Sequence, residues 1–299
     1  MTVRAPWPRL LLPAGFAVAF AVLAWIVLAR HGSPYGIDTG PHHWSVAHRP
    51  HAAATAARVI THLGTGVFPP IVAVLGGWLA GAAAIGRPGA STYGTDRGRT
   101  GDAAAGSGGG AGARFRRGVP LALLAVVVLL VGQLVRTGLM TALHRSRPPM
   151  ADWAAQASGH AFPSGHTSSS AIAAGLLTWG LLRFLPGRRG RLLAGAWWLV
   201  ALAVACTRVY LGVHWPTDVL GGWLFAGFWL SATLPFMAYV AARRENGRRR
   251  TDGAPDASAP AGPGPSGDEA RPERTGRPER TARPARKERP EGSDQTDTP

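Results

Sequence analysis

The chain has 299 residues and a formal net charge of +16, and its apolar residues are gathered into blocks instead of being spread as in a soluble protein. Its arginines sit mainly between those blocks and do not line one amphipathic surface, a pattern that suits membrane orientation and argues against nucleic-acid binding. The single cysteine, Cys206, excludes an intrachain disulfide and a cysteine-based zinc site and leaves the redox compartment open.

A helix needs about twenty mostly apolar residues to cross roughly 30 Å of hydrocarbon, and six blocks meet that expectation. The first covers residues 10–29. It is longer than a signal-peptide core, and Val27-Leu28-Ala29 is a poor cleavage site, so it reads as a retained helix. Residues 31–62 start polar and turn helix-like, as expected of an interfacial loop or short surface helix. Histidines are frequent there, but His48 and His51 lack the second ligand pair or carboxylate that zinc would need, so no metal site is expected. The second block runs from about 67 to 85.

Residues 87–117 contain Gly106-Ser107-Gly108-Gly109-Gly110 among arginines. Such a segment buries too little apolar surface to fold, and it lacks the lysine of a phosphate-binding glycine motif, so it reads as a flexible loop. The remaining blocks are 119–143, 166–185, 192–211 and 216–240. The fold class expected is therefore all-α, a polytopic membrane protein with six transmembrane helices. Its membrane domain spans 1–242, with a catalytic core at about 119–242. Residues 243–299, rich in Pro, Arg and Glu with no apolar periodicity, read as a disordered tail.

Arginine excess marks the amino terminus, the 87–117 loop, the 183–191 turn and the tail. Six spans put all four on one side, the cytoplasmic one by the positive-inside rule. A multi-pass protein of the cell membrane with both termini cytoplasmic is expected. The extracytoplasmic face then holds 31–62, 144–162 and the 212–215 turn.

The reactive side chains gather at that outer face. Ser164 stands at the start of the fourth block, within Pro163-Ser164-Gly165-His166, where a helix N-terminus offers free N–H groups to an anion. A plain capped membrane helix is the alternative reading. Gly212 can end the fifth helix in a left-handed turn, and Pro216 suits the first position of the sixth. Asp218 then falls in its first turn, within reach of His214. A carboxylate there holds one ring nitrogen as N–H and leaves the other with its lone pair, making His214 a candidate nucleophile. Alternatively, Asp218 only complements the helix dipole. Arg147 and Arg208 offer planar donor forks suited to phosphate oxygens, although an interfacial arginine can also simply snorkel. That three separate outer-face positions all carry phosphate-type groups favours chemistry over each bland reading.

Arg147-Pro148, Pro163-Ser164-Gly165-His166 and Arg208-x5-His214-x3-Asp218 together resemble the three-part signature of the type 2 phosphatidic acid phosphatase superfamily, which includes lipid phosphatases, undecaprenyl-diphosphate phosphatases and vanadium haloperoxidases. The resemblance covers the third to sixth blocks. It implies a phosphatase/haloperoxidase-like helical core and a metal-independent phosphatase without cofactor. By the same resemblance His214 forms a phosphohistidine, Asp218 orients it and His166 protonates the leaving oxygen. Arg147, Arg208, Ser164 and the Gly165 backbone bind the phosphoryl oxygens. The implied partners are a membrane and a lipid phosphate, with undecaprenyl diphosphate the first choice; neither resemblance nor residues set an oligomeric state.

Two departures matter, and in the first the third part, which usually begins with serine in that family, begins with Thr207, which keeps the hydroxyl. In the second, the family usually has a lysine seven residues before the arginine of the first part, and Met140 stands there. Losing one such donor typically costs about 3 to 4 kcal/mol, roughly two to three decades of rate. Arg136, four residues earlier on the same helix face, is expected to replace it as a substrate-binding cation. The alternatives are a lipid-diphosphate phosphotransferase and a non-catalytic lipid-phosphate-binding protein.

Overall fold

The computed structural model describes residues 8–83 and 107–252. Among them the secondary structure is helical, in the order α1 (Pro8–Ala29), α2 (Gly36–Ala47), α3 (His51–His62), α4 (Phe68–Ala82), α5 (Ser107–Leu143), α6 (Gly165–Phe184), α7 (Arg188–Tyr210) and α8 (Pro216–Asp252). One turn of 3-10 helix, Met150–Asp152, interrupts the long connection from α5 to α6.

Four stretches are long and apolar enough to cross a membrane: Leu10–Ala29, Arg114–Leu143, Arg188–Tyr210 and Pro216–Gly247. Of the six expected spans, these are the first, third, fifth and sixth. The second is α4, apolar but only 15 residues long. The fourth is α6, whose 20 residues carry Thr167, Ser168, Ser169 and Ser170 directly after Gly165 and His166.

Position explains the composition of α6. It packs against α4, α5, α7 and α8, so its neighbours are helices on several sides. The serine hydroxyls turn inward on their own helix: Ser168 Oγ donates to the Ser164 carbonyl at 2.8 Å and Ser169 Oγ to the Gly165 carbonyl at 2.7 Å. A polar turn can then be buried without orphaned donors. Where lipid surrounds a bundle, close packing between small residues does the work that water exclusion does elsewhere. Accordingly, a Cβ at Gly76 of α4 would sit 2.6 Å from the Leu176 carbonyl oxygen of α6, and one at Gly180 of α6 would strike the Gly76 carbonyl. Around this contact Ala73, Ala125, Leu129, Ala171, Ile172, Leu176 and Phe225 form the buried core.

Three expectations about boundaries change. Residues 31–62 hold two helices, and α2 buries Asp38, His42 and Ser45, so it is an integral packing element and no surface loop. Residues 107–117, expected as loop, are the first turns of α5, and 243–252, expected as tail, are the last turns of α8. Both extend a helix already nucleated by an apolar span, where adding a residue is far easier than starting a new turn. The rest of the glycine-rich loop and of the tail lies outside the described residues.

Candidate active site

The chain reverses between α7 and α8 at Gly212, whose φ of +73° is the left-handed conformation that a side chain resists. A Cβ there would also strike the Asp152 carbonyl. The turn delivers His214, and Pro216 opens α8. Asp218 in the first turn folds back, its Oδ2 accepting the Trp215 N–H at 2.9 Å, the backbone half of a capping box. The same oxygen lies 3.3 Å from His214 Nδ1. Both side chains are buried.

On the other side of the imidazole, Arg147 Nη1 lies 2.9 Å from His214 Nε2. A guanidinium can only donate and a carboxylate only accept. The two partners therefore fix the tautomer: Nδ1 carries the hydrogen and Nε2 the lone pair. Arg147 is itself held by the carbonyls of Ser158 at 2.8 Å, Gly159 at 3.0 Å and Val213 at 2.8 Å. Burial, with the charges of Arg147 and Arg208 adding to it, holds the His214 imidazole well below its ordinary pKa, so the ring is neutral at pH 7.

Ser164 is the N-cap residue of α6, but its hydroxyl makes no bond to the helix backbone. It accepts instead from Thr167 Oγ1 at 3.2 Å, while the Ser164 N–H donates to the Asp218 carbonyl at 3.0 Å. The first-turn N–H groups of α6 keep their capacity for an anion. The backbone at Ser164 thus ties α6 to α8, and its hydroxyl does not cap the helix. His166 sits in that first turn, half-buried, its backbone against Gly64, where a Cβ would lie 3.0 Å from the His166 carbonyl oxygen.

Arg208 is buried near the end of α7 and donates from Nη1 to Thr61 Oγ1 of α3 at 2.8 Å. Arg136 of α5 reaches Met140 Sδ at 3.3 Å. Its guanidinium lies over Gly165, where a Cβ would come within 3.0 Å of Cζ and of Nη2. The Nε atoms of Arg136 and Arg208 are both buried without an acceptor. Leaving such a group unpaired costs about 1–3 kcal/mol, more when charged. An incoming anion would relieve both. Among the described residues no group of three or more His, Cys, Asp or Glu has metal-holding geometry.

The structure thus brings His214, His166, Asp218, Arg147, Arg208, Ser164, Gly165 and Arg136 to one end of the helices. It also shows what the sequence reading missed. Arg145, 1% exposed, bonds Asp218 Oδ1 at 2.6 Å and Asp38 Oδ2 at 2.8 Å. Asp38 and Thr61 come from α2 and α3, far from the motifs in sequence. The available signal was a second arginine at the end of a span, since a buried charge must find a partner.

Residues 121–242 match the family model of the PAP2 superfamily. Among curated proteins, the chain is similar to phosphatidylglycerophosphatase B of Bacillus subtilis, 35% identical over 118 residues that make up 38% of this chain and 56% of the relative. It is also similar to an undecaprenyl-diphosphatase of Sulfolobus acidocaldarius, 58% identical over 31 residues, 10% of this chain and 15% of the relative. The chain therefore spans little more than half the length of the first relative and a small part of the second. Among solved structures, the crystal structure of the first transmembrane PAP2 type phosphatidylglycerolphosphate phosphatase from Bacillus subtilis has the same fold. It aligns with a TM-score of 0.55 at 23% identity, covering 79% of this chain and 96% of the other.

Proposed function

We propose, from the premise that this chain belongs through residues 121–242 to the PAP2 superfamily, that it is a membrane lipid phosphatase with His214 as its nucleophile. The observation that carries the reading is the fixed tautomer, with Nδ1–H toward Asp218 and the Nε2 lone pair held among cations.

A phosphoryl group would displace Arg147 from Nε2 and take the guanidinium forks of Arg147, Arg208 and Arg136, the Ser164 hydroxyl and the Gly165 N–H. His214 Nε2 attacks phosphorus as the bond to the lipid oxygen breaks, and His166 gives that oxygen a proton. The product is a lipid alcohol or lipid phosphate and a phosphohistidine, whose positive ring Asp218 stabilises. Water then loses a proton to His166 and attacks phosphorus, the P–N bond breaks, and phosphate leaves. Positioning and charge neutralisation supply most of the catalysis in such transfers. Guanidiniums in place of a metal perform the neutralisation, so the reaction should run in chelator.

Arg136 takes over from the missing lysine in this scheme. Its contact with Gly165 and its unpaired Nε support that assignment. In membrane terms, the four long apolar helices with α4 and α6 between them make six spans. The arginine-rich loops and both termini are cytoplasmic and the site is extracytoplasmic. The substrate class is a lipid phosphate or diphosphate in the outer leaflet, with undecaprenyl diphosphate and phosphatidylglycerol phosphate the two lipids to try.

The test is phosphate release from each lipid by the purified chain in detergent with excess chelator, beside His214→Ala. Release that survives chelator and vanishes in the variant is expected. Equal release by both proteins would end the histidine mechanism, and no release from any lipid phosphate would end the enzyme reading.

A further inference from the structure

The most deeply buried charges in the described residues belong to Arg145, Asp38 and Asp218, and the scheme above uses only the last. All three are essentially without exposure, and taking an ion out of water costs several kcal/mol unless its partners are well placed. Here they are. Arg145 Nη1 donates to Asp218 Oδ1 at 2.6 Å and to Thr217 Oγ1 at 2.6 Å, Nη2 to Asp38 Oδ2 at 2.8 Å, and Nε to the Gly32 carbonyl at 3.4 Å. Asp38 Oδ1 accepts the Thr217 N–H at 2.9 Å and its hydroxyl at 2.7 Å, so a carboxylate from α2 caps the start of α8. Its Oδ2 also takes the Tyr35 N–H at 3.2 Å.

The division of labour on Asp218 is the informative feature. One oxygen is taken by Arg145, which leaves the other for the His214 ring and the Trp215 N–H. The arginine fixes the rotation of the carboxylate. A lone guanidinium in a low-dielectric site would, however, draw the charge of Asp218 away from the imidazole. Asp38 shares that guanidinium and leaves the cluster with one net negative charge facing His214.

We propose that Arg145 and Asp38 are positioning residues that act through Asp218 to orient His214 and set its basicity, so that α2, which lies outside the family segment 121–242, completes the active site. The inference rests on the reading of His214 as the nucleophile. The groups that face Asp218 and His214 are Arg145, Asp38, Arg147, Arg208, Arg136 and the His166 ring, and each charge among them moves the imidazole in a set direction. Removing the negative charge of Asp38 makes His214 harder to protonate, and removing the positive charge of Arg145 makes it easier. A purely structural tie would predict neither.

The test uses full-length Asp38→Asn, Arg145→Gln and Arg145→Lys in detergent, with phosphate release from phosphatidylglycerol phosphate and undecaprenyl diphosphate followed between pH 4 and 9. Asp38→Asn, which keeps the acceptor for Thr217, should lower kcat about tenfold or more with KM within about threefold. Its acid limb should move down by roughly half to one pH unit, and that of Arg145→Gln up by a similar amount. Arg145→Lys should recover at least about a decade of the kcat lost in Arg145→Gln while keeping the wild-type limb. Should Arg145→Gln fail to fold, Asp38→Asn and Arg145→Lys still decide by the split of kcat from KM. Variants with wild-type kcat, or with equal losses and unmoved limbs, would overturn the proposal, whereas an inactive wild type would instead overturn the phosphatase reading.

Discussion

Met140 is the main departure from the pattern of the family that residues 121–242 match, and Arg136 is the residue proposed to compensate. An arginine reaches farther than a lysine, and from one turn away its guanidinium arrives over Gly165. Arg136→Ala should therefore lower kcat/KM by about two to three decades, the usual loss for one preorganised donor. Gly165→Ala is the subtler test, because its methyl would meet the guanidinium at 3.0 Å and push it aside. A loss of about tenfold or more is expected from a single added carbon. Unchanged kinetics in both variants, by phosphate release, would remove Arg136 from the site.

The pH dependence belongs to the same scale. Because His214 is held below its ordinary pKa by burial and then by Arg147 and Arg208, the free base is already present at neutral pH. The acid limb of kcat/KM should then lie below about pH 6.5, the ordinary histidine value. The sign for stability follows from the same depression. The unfolded chain takes up a proton near pH 6.5 that the folded chain refuses until a lower pH, so this contribution is fully present above that value and is lost as pH falls. Melting curves of wild type and His214→Gln should diverge at neutral pH and converge toward acid.

At the scale of elements, α6 depends on having almost no side chain where it meets α4. Gly180→Ala would drive its methyl into the Gly76 carbonyl, a backbone atom with nowhere to go. Overpacking of this kind costs about 1–3 kcal/mol, so the melting temperature in detergent should fall by several degrees. The helices α1 and α4 to α8 were legible in sequence because each contains a long apolar block, whereas α2 and α3, which lack one, were not resolved as two helices. The turn from Gly212 to Asp218 was legible too, since glycine, proline and a first-turn carboxylate each have a local meaning. What sequence did not disclose was the partner of Asp218. Asp38 lies 107 residues from Arg145, and no local periodicity couples a carboxylate in one amphipathic helix to a guanidinium at the end of another. Likewise the position of Ser164 marks a helix start in sequence, whereas the bond its hydroxyl accepts from Thr167 is a matter of packing.

For the whole molecule, the claim to check is sidedness. Arginine-rich segments and the proposed catalytic side chains fall at opposite ends of the expected spans, so the proposal, by the positive-inside rule, has the site outside the cytoplasm. In a Cys206→Ser background, a cysteine at Gln156 should react with a membrane-impermeant maleimide in intact cells and one at Arg189 only after lysis. The reverse labelling would invert the topology and move the substrate to the inner leaflet.

The most direct measurement of the central claim is the site of phosphorylation during turnover. Wild type mixed with labelled lipid phosphate and quenched in alkali, where phosphohistidine survives, should carry one phosphoryl group, mapped by mass spectrometry of the peptides to His214. His166→Ala, slow to hydrolyse that intermediate, should accumulate more of it from a substrate with a good leaving group. Label on another residue, or steady phosphate release with no covalent phosphoryl group at any time, would contradict the account.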